Sequence, residues 1–116
     1  MREREVPRAW PLSQALLTAK AILSGEVGVL EGCIRLSGLS RDIVADWRVD
    51  PDFRLFGAVA SDIDHLPFGD VRARWSASAL VRADAEIQRI TEHIGPKVRE
   101  ACEHLLSRFT GVETFP

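Results

Sequence analysis

The chain has no basic excess, no long apolar run and only two cysteines in 116 residues. Each shortage excludes something. Lys and Arg total 15 against 17 Asp and Glu, for a formal net charge of −2 and a pI near 5.9. Acidic and basic residues alternate along the whole length, whereas a nucleic-acid binder shows a basic excess on at least one face. Nucleic acid is therefore not an expected partner. Uninterrupted apolar runs extend only a few residues, too short for a membrane span. Met1 to Arg8 is charged, but no apolar stretch of signal-peptide length follows it. A reducing cytoplasm is the expected location. Cys33 and Cys102 sit in apolar, helix-like surroundings and not at metal-binding spacing, so they read as buried core thiols. A disulfide between them would require their helices to pack side by side.

Catalytic signatures are missing as well. No serine lies in a G-x-S-x-G turn, and neither a glycine-rich phosphate loop nor G-K-[ST] occurs. There are no internal repeats and no low-complexity segment. Val71 to Trp75 alternates apolar and basic residues but is too short for a convincing strand. No catalytic residue, cofactor or metal is expected.

What remains is helical periodicity in a chain long enough to bury a core without a metal or disulfide staple. Hydrophobic residues make up 46% and charged residues 28%, the balance of an ordinary globular domain. Residues 1–12, with their charges and two prolines, predict a loose leader whose end Trp10 anchors. A helical domain over 13–109 and a frayed tail over 110–116 follow. Ser13 reads as an N-cap, with Leu16, Leu17, Ala21 and Ile22 at helical spacing and Gly25 as the stop. A second helix is expected from about Glu26, with Val27, Leu30 and Ile34 on one stripe and Val29, Cys33 and Leu36 beside it. Gly28 and Gly32, four apart, suggest close helix packing. Gly38 ends or bends this helix, and Ser40 caps a short turn. Asp50-Pro51 is a strong helix start, a capping carboxylate followed by proline at the first helical position. Phe53, Phe56, Val59, Ala60 and Ile63 continue it to an ordered loop over 62–70.

The last third carries the clearest signal. Ile87, Ile90, Ile94, Val98, Cys102, Leu105 and Phe109 step by three or four, close to the helical period. The phase does not slip across Gly95-Pro96. A single long helix is read, kinked where Pro96 removes a backbone hydrogen bond; the alternative is a glycine stop and a proline restart. Ser76 or Ser78 can cap a short turn before it. An all-α, single-domain bundle of four to six helices with a long C-terminal helix is predicted.

Potential ligands are densest at Asp62, Asp64, His65 and Asp70. Their spacing matches no calcium loop, because a central glycine and a terminal Glu are absent. Capping and loop hydrogen bonds are the simpler role. In the structural reading Asp62 or Asp64 pairs with Arg72 or Arg74, while Leu66, Phe68 and Trp75 fill the core. In the functional reading Asp62, Asp64, Asp70 and Arg72 face outward to a partner. His93 and His104 lie eleven residues apart, about 16 Å along a helix, too far to share a metal ion.

Several segments carry a family resemblance. They are Ala21-Ile22-Leu23-Ser24-Gly25-Glu26, Glu31 to Leu36, Asp52-Phe53 with Phe56, Ser61 to Pro67, Arg72 to Trp75, and Ala101 to Leu106. S-D-x-D-x-L-P-x-G-x-x-R-x-x-W is the most specific stretch. Over roughly residues 13 to 109 the chain resembles a DUF2489-like family of small helical bacterial proteins. The resemblance implies similarity to immunity proteins encoded beside contact-dependent or polymorphic toxins. The expected function is then neutralisation of a cognate toxin by occluding its surface. The alternative is a structural or regulatory protein-interaction module. An acidic patch fitted to a basic toxin cleft would provide electrostatic complementarity. The oligomeric state is left open by the sequence.

Overall fold

A computed structural model describes residues 6–114. Among them are four α-helices, α1 (Ala9–Ser24), α2 (Val29–Leu39), α3 (Pro51–Asp62) and α4 (Ala77–Phe109), and no strand. Short 3-10 turns at Ser40–Asp42 and Gly69–Arg74 join them. The expected all-helical bundle with a long last helix is the observed one. Of the expected leader and tail, residues 1–5 and 115–116 lie outside the described residues.

Helix α1 starts four residues before the expected cap. Arg8, in extended conformation, precedes it, and Ser13 lies inside it without a capping role. The early start turns Trp10 outward, 67% exposed, so it is not part of the core; Pro11 and Leu12 are buried instead. Proline is tolerated there because the first helical turn has no partners for its N–H groups. Gly25 ends α1 as expected, in the left-handed region at φ 86°, with its N–H bonded to the Ile22 carbonyl.

Helix α2 begins at Val29, with Gly28 before it, and not at Glu26. The buried stripe also differs from the expected one. Val29, Leu30, Cys33 and Leu36 are buried, whereas Ile34 is exposed. Gly32 makes the close approach that its spacing suggested: a Cβ there would sit 2.3 Å from Cδ1 of Ile22 on α1. Gly28 has nothing within 4 Å and contributes no such contact. Ser40 is no cap either; its hydroxyl donates to the Ser37 carbonyl.

Helix α3 follows the reading of Asp50-Pro51. The Asp50 carboxylate accepts from the backbone N–H of Asp52 and Phe53, both at 3.2 Å. Phe53 and Phe56 are fully buried and meet edge to face, with centroids 5.7 Å apart. Each buried aromatic of this kind contributes about 2–3 kcal/mol relative to exposure. Ile63 and Leu66 continue the core into the following loop, which is ordered as expected.

Helix α4 runs 33 residues without a break at Gly95-Pro96, which settles the choice between one helix and two. At 1.5 Å per residue it is about 50 Å long, matching the longest molecular dimension of 53 Å. Ser76 caps it through the Ala79 N–H, and the short turn expected after Ser76 or Ser78 is its first turn. Helix α1 packs on α2 and α4, α2 on α3 and α4, and α3 on α4. Val98, Cys102, Leu105 and Phe109 of α4 are buried among them, while Ile87, Ile90 and Ile94 are only partly covered.

Candidate functional site

The segment between α3 and α4 holds the residues that the sequence singles out. Ile63, Leu66 and Pro67 are buried and fix it from below. Two long-range contacts hold it to α4. His65 Nε2 lies 2.8 Å from Glu86 Oε2. The Arg72 guanidinium donates to both oxygens of Asp84, at 2.8 and 2.9 Å, and to the Pro67 carbonyl at 3.3 Å. The hydrogen bonds from Arg72 hold the exposed Asp84 carboxyl below its usual range.

This arrangement corrects the expected internal pairing. Neither Asp62 nor Asp64 meets Arg72 or Arg74, because Arg72 reaches across to α4 for a bidentate partner. Trp75 and Phe68 are half-buried and only line the core's edge. Asp62, Asp64 and Asp70 are all exposed and make no ion pair among the described residues. Arg72, grouped with them as an outward-facing residue, has its guanidinium engaged within the fold.

A second cluster lies elsewhere, and sequence reasoning missed it. Asp50 and Asp52, at the start of α3, are 9% and 5% exposed. Their partners come from consecutive turns near the end of α4. His104 Nδ1 lies 2.7 Å from Asp52 Oδ2. Arg108 donates to Asp50 Oδ1 at 3.0 Å and to Asp52 Oδ2 at 3.1 Å, and a further Arg108 nitrogen donates to Asp50 Oδ2. Burial alone would raise the Asp50 pKa. The Arg108 guanidinium and the Phe53 and Asp52 N–H groups outweigh that and leave it lowered. Arg108 is correspondingly raised, chiefly by its hydrogen bond to Asp50.

A groove of about 540 Å³ opens beside the cluster, lined by Pro51, Asp52, Leu55, Lys97, Glu100, Ala101 and His104. A buried carboxylate holding an imidazole orients a base. The groove lining supplies no hydroxyl or thiol for that base to activate. Among the described residues no three His, Cys, Asp or Glu side chains converge on one metal position. The geometry supports fastening α3 to α4. The one legible signal was the four-residue spacing of His104 and Arg108, which puts both on one face of a helix.

Cys33 and Cys102 are buried and free. Burial pushes both thiols up to about 12, with the neighbouring Cys102 adding to the effect at Cys33. No helix among the described residues is long and apolar enough to cross a membrane.

A sequence profile described as "Protein of unknown function (DUF2489)" matches residues 13–105. No curated protein and no solved structure matches the chain.

Proposed function

From this chain's place as a member of the DUF2489 family, we propose that it works by covering a partner protein's surface, and that the partner is a cognate bacterial toxin. The observation that carries the reading is the acidic segment at 62–70. Asp62, Asp64 and Asp70 are exposed and unpaired among the described residues. The backbone presenting them is pinned from below by Leu66 and Pro67 and from the side by the Arg72–Asp84 and His65–Glu86 contacts. A pre-ordered display of like charge binds an oppositely charged cleft with little ordering cost. It also speeds encounter with that cleft. Arg72 then serves the site by positioning the loop.

Charge reversal tests the assignment. Asp62→Lys with Asp64→Lys leaves the core untouched, so the melting temperature should hold. Cells expressing the toxin encoded beside this gene should survive with the parent protein and lose protection with the double variant. Full protection by the double variant would remove the segment from the interface. Failure of the parent protein to protect against any neighbouring toxin would overturn the toxin assignment.

A further inference from the structure

We propose that His104 is a phosphoryl-acceptor site, its Nε2 taking the phosphoryl group of an acyl phosphate. The side chain, near the end of α4, is 60% exposed. Its Nδ1 lies 2.7 Å from Oδ2 of Asp52, a residue only 5% exposed. Arg108 donates to the same oxygen at 3.1 Å. That oxygen is therefore an acceptor, and the ring nitrogen facing it carries the proton. In the neutral ring the lone pair is then on Nε2, which makes no hydrogen bond among the described residues. A buried carboxylate on one side of an imidazole and an open nitrogen on the other orient a nucleophile. The other two histidines lack this arrangement. His65 has Nε2 itself engaged, 2.8 Å from Glu86. His93 makes no hydrogen bond among the described residues, so nothing fixes its tautomer.

The groove of about 540 Å³ decides what that nitrogen meets. Its lining offers no hydroxyl or thiol, so the imidazole is itself the nucleophile. Lys97 lines the same groove and makes no ion pair among the described residues. Lys97 and His104 are seven apart, on one side of α4 and about 10 Å apart along its axis. Helical side chains lean toward the N-terminus, which turns the ring toward Lys97. A free ammonium beside an open imidazole nitrogen suits an anionic phosphoryl group, and a neutral acyl carbonyl has no charge for it to meet. Glu100, between the two, opposes an anion. In the transfer the Nε2 lone pair forms the N–P bond. The P–O bond to the acyl group breaks, and its electron pair leaves with the carboxylate. The Nδ1 proton stays on the ring, whose new positive charge faces Asp52. Nothing is oxidised or reduced.

Acetyl phosphate is the probe, applied to the full chain and followed by phosphorus NMR. The protein should gain a phosphoramidate signal, stable in base and lost in acid. His104→Gln should abolish it, while His65→Gln and His93→Gln should keep it. Lys97→Gln should slow labelling about threefold, the effect of one exposed charge, and Glu100→Gln should speed it. Both residues are exposed, so the melting temperature should hold in each variant. Asp52→Ala should slow labelling further. It should also move the ring proton of His104 from Nδ1 to Nε2 in nitrogen NMR spectra, which loss of packing alone would not do. Where Asp52→Ala fails to fold, the parent's spectrum and the Lys97 and Glu100 variants carry the test. The Asp62→Lys, Asp64→Lys variant should label as the parent does, which separates this site from the acidic segment. Absence of label, label retained by His104→Gln, or equal rates at all three histidines would overturn the proposal. So would a parent ring with its proton on Nε2, or a rate indifferent to both Lys97 and Glu100.

Discussion

Arg108, in the last turn of α4, donates to the carboxylate of Asp50, 58 positions earlier, which caps the first turn of α3. One carboxylate thus satisfies two backbone N–H groups and a guanidinium. Asp50→Ala removes the cap and leaves the guanidinium with Asp52 alone. A cap is worth about 1 kcal/mol and a charged hydrogen bond about 1.5–3. Urea denaturation at neutral pH should show a loss of about 2–3 kcal/mol, and Asp50→Asn should retain part of the cap's share.

The same group sets an acid limit. Its folded-state pKa is depressed, so its stabilisation is present above the unfolded value of about 3.9 and is lost as pH falls through the folded value. The denaturation midpoint should drop steeply below about pH 4. The Asp50→Asn variant should show a shallower fall over the same interval. Equal slopes in the two proteins would remove Asp50 from the acid transition.

Gly32 should not accept a methyl group. An added Cβ would lie 2.3 Å from Ile22 Cδ1 and 2.5 Å from Cγ1, and Ile22 is itself buried. Alanine gains helix propensity of about 1 kcal/mol, while overpacking costs about 1–3. The expected result of Gly32→Ala is a lower melting temperature. Adding Ile22→Val, which deletes Cδ1, should recover part of it, and simple additivity of the two changes would count against the contact.

The two cysteines should be inert in the native protein. Both are fully buried, and burial holds the thiols protonated. A thiol-reactive dye should label neither until denaturant is added. Fast labelling under native conditions would contradict the packing of α2 against α4.

Trp75 is half-buried, so Trp75→Ala should cost about 2 kcal/mol, below the 3–5 of a fully buried aromatic. A calorimetric scan measures the difference.

What the sequence made legible was local or periodic. Ile87 to Phe109 kept one phase for six steps, and that phase survived Gly95-Pro96 because a missing N–H removes one hydrogen bond without rotating the helix. Asp50-Pro51 and Gly25 are short-range signals with a backbone mechanism behind them. Trp10 misled because its size suggested burial, while the phase of α1 was set by Pro11 and Leu12. Ile34 misled because it shares the helical period with Leu30, while the face that packs is centred on Val29, Cys33 and Leu36. The cluster of Asp52 with His104, 52 positions apart, showed in spacing only as the His104–Arg108 pair on one helix face, since the packing of α3 on α4 is what brings Asp52 to it. Asp84 escaped notice for the same reason, although its partner Arg72 was singled out.

The side-by-side packing of α1 and α4 sets an order in time. Helix α1 precedes α4 in the chain, yet Leu12 shares a groove with Phe109 in the last turn of α4. During synthesis α1 can close first only on α2, and its contact with α4 waits until almost the whole of α4 has emerged. Over that interval the side of α1 that α4 will cover is open to wrong associations.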